Sequence, residues 1–211
     1  KTIIKLSNDA LEKARSISSR SRSTVRIGTS LLFKCRLFPD IWSKVSVQCP
    51  DLKIEILPLP EQERQTRLFG GLGEDYDIVE GVYGSIAYHG LCRFLELMQT
   101  PLCCAVSKKH RLANEKSLTM DDLKGEYLVL PIPGVSKELD AFRQEIIERF
   151  PSINIIDSPY YGVDTFMLCE VNPYIMITQQ IYGDIHPNLI TIPLGSSYTM
   201  PYGLMYSKTP S

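Results

Sequence analysis

The chain has no long uncharged apolar run, no signal-peptide pattern and no Cys-x-x-Cys pair. A membrane-spanning helix needs about 20 consecutive apolar residues, so none is expected. Without a secretion signal the cytoplasm is the expected compartment. Without paired cysteines the common zinc and dithiol motifs are missing. Charge of one sign is lacking too, since 23 Lys and Arg face 24 Asp and Glu for a net charge of −1. That balance lacks the basic footprint of a nucleic-acid-binding surface, so any DNA contact is expected from residues outside this chain. The three histidines, His89, His110 and His186, are scattered, and none stands beside a nucleophile. Gly-x-Ser-x-Gly does not occur, and Gly70-Gly71-Leu72-Gly73 lacks the Gly-Lys-Ser/Thr of a phosphate loop. No enzyme constellation, metal or cofactor is expected.

What is present is ordinary globular composition: 211 residues, 44% hydrophobic and 22% charged. That length fits one large domain or two lobes of about 100 residues each. The six cysteines (35, 49, 92, 103, 104 and 169) lie mostly in apolar runs and read as buried free thiols of a reducing compartment. Vicinal Cys103 and Cys104 on a strand would point to opposite faces, which leaves a redox role open.

The chain opens with an amphipathic helical pattern over residues 1–19, with Ile3, Ile4, Ala10, Leu11, Ala14 and Ile17 on one stripe. That stripe needs a partner, so the segment reads as the tail of something upstream. The Ser-Arg run 18–23 reads as a hinge. From Thr24 strands and helices alternate: a strand at 24–29, a helix over 31–47, strands at 52–57 and 76–79, and a short helix at 61–69 between them. A second cycle has strands at 102–107, 127–130, 153–156 and 174–178. A helical turn is expected at 118–124, capped by Thr119, and helices at 136–150 and at 164–171. Strand-like segments at 189–192 and 200–206 close the chain, the tail crossing back toward the first lobe. Such alternation predicts βαβ units and a mainly parallel sheet.

Val25-Arg26-Ile27-Gly28, Leu37-Phe38-Pro39, Cys49-Pro50-Asp51-Leu52-Lys53-Ile54-Glu55-Ile56 and Tyr76-Asp77-Ile78-Val79-Glu80-Gly81 occur in that order. His110-Arg111-Leu112-Ala113 and Leu118-Thr119-Met120-Asp121-Asp122-Leu123 follow them. Together they resemble the effector-binding domain of LysR-type transcriptional regulators over nearly the whole chain. Departures are Arg111 in place of a proline, Asn172-Pro173-Tyr174 in place of a Gly-Leu-Gly turn, and Thr178-Gln179 in place of a hydrophobic-Pro pair. The resemblance implies an α/β fold of two Rossmann-like lobes joined by two crossover strands, like a type 2 periplasmic binding protein. It divides the chain into a linker-helix end at 1–23, a first lobe of 24–105 plus 190–211, and a second lobe of 106–189. It also implies a small-molecule effector between the lobes, an upstream winged helix-turn-helix that binds DNA, and homodimers or homotetramers.

In open α/β sheets ligands sit beyond the carboxyl ends of strands, where helices begin. That points to Thr29, Ser30 and Leu31, where a helix N-terminus suits a carboxylate or phosphate, although Ser30 also suits a plain cap; a zwitterionic effector would pair its amine with Asp164. Val163, Asp164 and Thr165 open a second-lobe helix, with Asp164 as its natural cap. Glu80, Gly81 and Val82 follow the third strand and complete the first-lobe wall, and Glu80 favours an effector bearing an amino or hydroxyl group. Thr100 and Pro131 fall near the hinge. Phe33, Tyr160, Tyr161 and Phe166 offer apolar walls or core. His110 and His186 read as surface residues in polar turns. A solute-binding protein of a transport system, or an enzyme on the same lobes, remain as alternative readings.

Overall fold

The structure is a computed structural model and describes residues 24–59, 70–159 and 161–209. The expected helices at 1–19 and 61–69, and Tyr160, lie outside the described residues. Among the described residues the strands are β1 (Thr24–Thr29), β2 (Lys53–Pro58), β3 (Ile78–Val82), β4 (Arg93–Ser107), β5 (Tyr127–Pro131), β6 (Asn154–Ser158), β7 (Tyr174–Gln179), β8 (Leu189–Pro193) and β9 (Thr199–Tyr206). The helices are α1 (Phe38–Gln48), α2 (Lys137–Arg149) and α3 (Val163–Val171).

Two sheets share one strand. In the first lobe the order is β2-β1-β3-β9-β4, with β1 parallel to β2 and β3, and β9 antiparallel to β3 and β4. In the second lobe β7 and β8 pair antiparallel with the later half of β4, and β5 joins β7 and β6 in parallel. Arg93–Pro101 of β4 pairs with β9, while Leu102–Ser107 pairs with β7 and β8. The chain therefore crosses between lobes along β4 and again through residues 194–198. Hydrogen bonding changes over at Pro101–Leu102, and β8 stays with the second lobe.

Burial on both faces explains the unbroken apolar runs of the second lobe. Leu102, Cys104, Val106, Leu128, Leu130, Ile175 and Ile177 pack with Phe142 and Ile146 of α2. On the opposite face Ala105, Val129 and Met176 pack with Phe166 and Cys169 of α3. The first lobe has its own cluster of Leu59, Leu72, Tyr76, Val79, Tyr88, Cys92 and Met205. At a β-bulge between Glu96 and Met98, a Cβ on Gly203 would lie 2.0 Å from the Leu95 carbonyl oxygen. Only glycine lets β9 approach β4 there.

Some elements differ from the sequence-based expectation. The first helix begins at Phe38, not at residue 31: Pro39 suits the first helical turn, where its missing N–H costs no intrahelical bond. Residues 119–124 form consecutive i→i+3 hydrogen-bonded turns, as expected, but Thr119 does not cap them. There Asp122 is the acceptor, taking both the amide and the hydroxyl of Thr119, and these bonds hold its carboxyl below the usual range. Gly162, not Asp164, is the N-cap of α3, leaving Asp164 exposed in the first turn. His110 is buried: its Nδ1 accepts from the Leu112 amide, and its Nε2 lies 3.3 Å from Glu126. His186 likewise pairs with Glu170 at 3.3 Å. The exposed thiol of Cys49 departs from the buried pattern, whereas Cys92, Cys103, Cys104 and Cys169 follow it. Burial pushes the Cys169 thiol up to about 12, which keeps it protonated and inert.

Asp77 ties the start of β3 to β1. Its carboxylate accepts from the Arg26 amide at 2.8 Å, from Nε at 3.2 Å and from Nη2 at 2.6 Å. Removing one partner of a mostly buried pair strands the other. Asp77→Ala is therefore expected to cost about 3 kcal/mol, read as a lower urea midpoint at unchanged slope. Gly203→Ala is expected to destabilise the fold by displacing β9 from β4, read as faster amide exchange along both strands.

Candidate functional site

The carboxyl end of β1 does not lead into a helix. It runs into a loop that folds on itself: the Thr29 hydroxyl donates to the Phe33 carbonyl at 2.9 Å, and Ser30 Oγ accepts from the Phe33 amide at 3.3 Å. Ser30 is thus a turn residue rather than a helix cap. This closure turns Leu31 and Leu32 outward, where they pack against the α3-side cluster of the second lobe. Two basic residues of the same loop reach across as well. Lys34 Nζ lies 3.1 Å from Asp184, and the Arg36 guanidinium pairs with the same carboxylate.

Glu80 accounts for the loop's geometry. It is 0% exposed, where the sequence suggested a solvated or ligand-facing acid. Its carboxylate accepts from the amides of Arg36 at 2.9 Å, Leu37 at 2.7 Å and Phe38 at 2.9 Å. A fourth donor, the Tyr202 hydroxyl of β9, stands at 2.5 Å. Leu37, the N-cap of α1, has no side chain able to cap it, so a residue from a neighbouring strand does so. The first N–H groups of a helix need such acceptors, and a negative charge also suits the helix dipole. Burial, and then Glu80 itself, push the Tyr202 phenol well up. Burial and Glu80 raise the Cys35 thiol in the same way.

The other candidates sit on β3, β4, β5 and α3. A Cβ on Gly81 would meet the Phe33 ring at 2.7 Å, so glycine admits that ring. Val82 packs against the α2-side cluster of the second lobe. Thr100 is buried in β4 opposite Met200 of β9. The carbonyl of Pro131, at the end of β5, takes Arg143 Nη2 at 2.6 Å, and that guanidinium also pairs with Asp157 at 2.7 Å. Val163, Asp164 and Thr165 open α3, where Thr165 is buried and its Oγ1 accepts from the Gly162 amide at 3.3 Å. Of the suggested apolar walls, Phe33 belongs to the first-lobe cluster, and Phe166 and Tyr161 to the α3-side cluster.

Thr178 was not among the candidates the sequence suggested. Alternation along β7 puts Thr178 on the face of Tyr174 and Met176, the α3 side. It stands opposite Cys103 of β4, and two residues past the paired Val129 and Met176 Pro131 and Thr178 follow on that same face. The Thr178 hydroxyl is buried, with the residue 1% exposed, and has no hydrogen-bond partner among the described residues. A lone threonine ending the apolar strand Tyr-Ile-Met-Ile-Thr was the available signal. Two depressions are lined by other residues. One of about 410 Å³ is lined by Arg36, Gln180, Asp184 and Thr191 among others, and one of about 330 Å³ by Ser107, Lys108, Lys109, Glu170 and Asn188. Neither touches the eleven residues singled out from the sequence. The first spans the lobes, with Arg36 on one side and Gln180 and Asp184 on the other, and Leu31 and Leu32 pack against the second lobe nearby.

Comparison with known proteins agrees with this architecture. Residues 18–157 match the family model described as the LysR substrate binding domain. The effector-binding domain of QuiR in complex with shikimate superposes with a TM-score of 0.60 at 17% identity, covering 90% of this chain and 89% of that one. The BenM effector-binding domain with its effector benzoate gives 0.56 at 20% identity, covering 91% and 87%. Full-length CbnR complexed with its target DNA gives 0.60 at 14% identity, covering 99% of this chain and 73% of that one. No curated protein matches the sequence. At these identities the superpositions speak for the type 2 periplasmic-binding-protein-like fold, and the family model speaks for descent. The chain belongs to the LysR substrate-binding-domain family and is the effector-sensing regulatory domain of a LysR-type regulator.

Proposed function

We propose that the effector of this domain binds between the lobes, where Thr29–Leu31 of the first lobe meet Pro131, Val163–Thr165 and Thr178 of the second. The observation that carries this reading is the Thr178 hydroxyl, buried without a partner at the carboxyl end of β7. An unsatisfied buried hydroxyl costs about 1–3 kcal/mol, and a ligand that pairs with it recovers that cost. Leu31 and Leu32 stand over the same face and act as a wedge that a ligand displaces. Binding then favours one arrangement of the lobes over another, a population shift and not a chemical reaction. The protein is read as a cytoplasmic regulator without catalytic activity; no described helix is long and apolar enough to cross a membrane.

The likeness to CbnR on DNA supports a further step. The arrangement of the lobes is read out by DNA-binding heads through a homodimer or homotetramer, and DNA is contacted outside residues 24–209. Glu80, Gly81 and Val82 support the first-lobe wall from behind, and Thr100 sits on the strand that both lobes share.

Two outcomes are expected. Thr178→Val removes the orphan hydroxyl at nearly constant volume. It should raise the ligand-free Tm by about 2 °C or more while weakening any ligand found by thermal-shift screening at least tenfold. Unchanged Tm together with unchanged affinity would count against the site. Burial works against the charge on Asp184, but Lys34 and Arg36 hold its carboxyl below the usual aspartate range. A lowered folded value means this link is intact above about pH 4 and is lost only as pH falls further. Asp184→Ala should change stability by less than about 1 kcal/mol, since the pair is exposed. It should nevertheless enlarge the radius of gyration in small-angle scattering as the lobes part.

A further inference from the structure

We propose that the first lobe carries its own anion, the carboxylate of Glu80, and that the inter-lobe ligand is therefore an uncharged compound whose hydroxyl or carbonyl pairs with Thr178. The second half rests on the inter-lobe site proposed above; the first half stands on the geometry of Glu80 alone.

A helix N-terminus at the carboxyl ends of parallel strands is a ready anion site, built from free amide donors and the positive end of the helix dipole. Here β1 and β3 end, and α1 begins, at such a place. Its donors are the amides of Arg36, Leu37 and Phe38, and all three point at Glu80. Pro39, next in line, has no N–H to offer. Tyr202 adds a fourth donor, so the carboxylate is fully engaged and shielded from solvent. An acidic ligand arriving here would find no donor left and a like charge facing it, which is unfavourable out of water.

Among the remaining walls α3 brings a second carboxylate, that of Asp164, exposed in its first turn. Lys34 and Arg36 are turned to Asp184. The Tyr161 hydroxyl is engaged by the Val129 carbonyl at 3.1 Å. Thr29 and Ser30 are bonded to Phe33. Leu31 and Leu32 are apolar, and Pro131 and Cys103 flank Thr178. Apart from Asp164, the polar side chain left open among these is the Thr178 hydroxyl, able both to donate and to accept. The ligand chemistry that fits is an apolar body with one alcohol, carbonyl or amide group.

The test is nuclear magnetic resonance on the labelled domain. The Arg36, Leu37 and Phe38 amides and the Thr178 methyl are followed during titration with formate and benzoate, and with benzamide and benzyl alcohol, at constant ionic strength. In the unmodified protein the two carboxylates are expected to leave the three amides unmoved. In Glu80→Ala, formate should enter the vacated position, shift those amides and raise the Tm by about 3 °C over chloride, with no such rise in the unmodified protein. Carboxylate-induced shifts of the three amides in the unmodified protein overturn the proposal, as does a folded Glu80→Ala that ignores formate. If Glu80→Ala does not fold, the titration of the unmodified protein decides by itself. A Thr178 response to benzamide or benzyl alcohol, and none to benzoate, upholds the ligand class; the reverse overturns it. Silence of Thr178 toward all four probes counts against the inter-lobe site, while the three amides still decide whether Glu80 fills the anion position.

Discussion

Four hydrogen bonds converge on one buried carboxylate, and the functional half of the first lobe is arranged around them. Glu80 leaves β3, accepts from the start of α1 and from Tyr202 of β9, and so fixes the loop between β1 and α1 against the sheet. That loop makes the contacts described between its tip and the second lobe: Leu31 and Leu32 in the apolar cluster, and Lys34 and Arg36 on Asp184. A buried charge is tolerated only where donors surround it. Here the donors are the otherwise unsatisfied amides of a helix that lacks a capping side chain. Each group supplies what the other is missing.

The sequence made the fold legible because its second lobe is buried on both sides. Apolar runs at 102–107, 127–130 and 174–178 have few other interpretations, and the Ser136 cap of α2 was visible as Ser followed by an acidic first turn. The start of α1 was misplaced because residues 31–37 look helical in composition, while the deciding influences were Pro39 and a side chain more than 40 residues away. Long-range capping leaves no local pattern. Asp164 was expected to cap α3 because aspartate usually can, yet the backbone chose Gly162, with Thr165 reaching back to it.

The candidate site was legible only in outline. Carboxyl ends of strands are predictable from topology, so Thr29 and Pro131 do end β1 and β5, and Thr165 does lie in the first turn of α3. What a side chain does there depends on partners distant in sequence. Glu80 looked like a free acid and is an internal cap. Thr178 looked like a departure from a family pattern and is the orphan hydroxyl. His110 looked like a surface residue because its neighbours are polar, but Glu126 and the Leu112 amide draw it inward.

The shared strand β4 has a mechanical consequence. Fifteen residues at about 3.3 Å each make a continuous rod of roughly 45 Å, pinned by β9 at one end and by β7 and β8 at the other. Such a rod resists shear, so the lobes are left to swivel about its long axis, with the Pro101–Leu102 changeover as the compliant point. A sub-ångström push near Cys103 becomes a rotation whose arc grows with distance from the axis. The surfaces farthest from β4, β2 at one edge and β6 at the other, travel most.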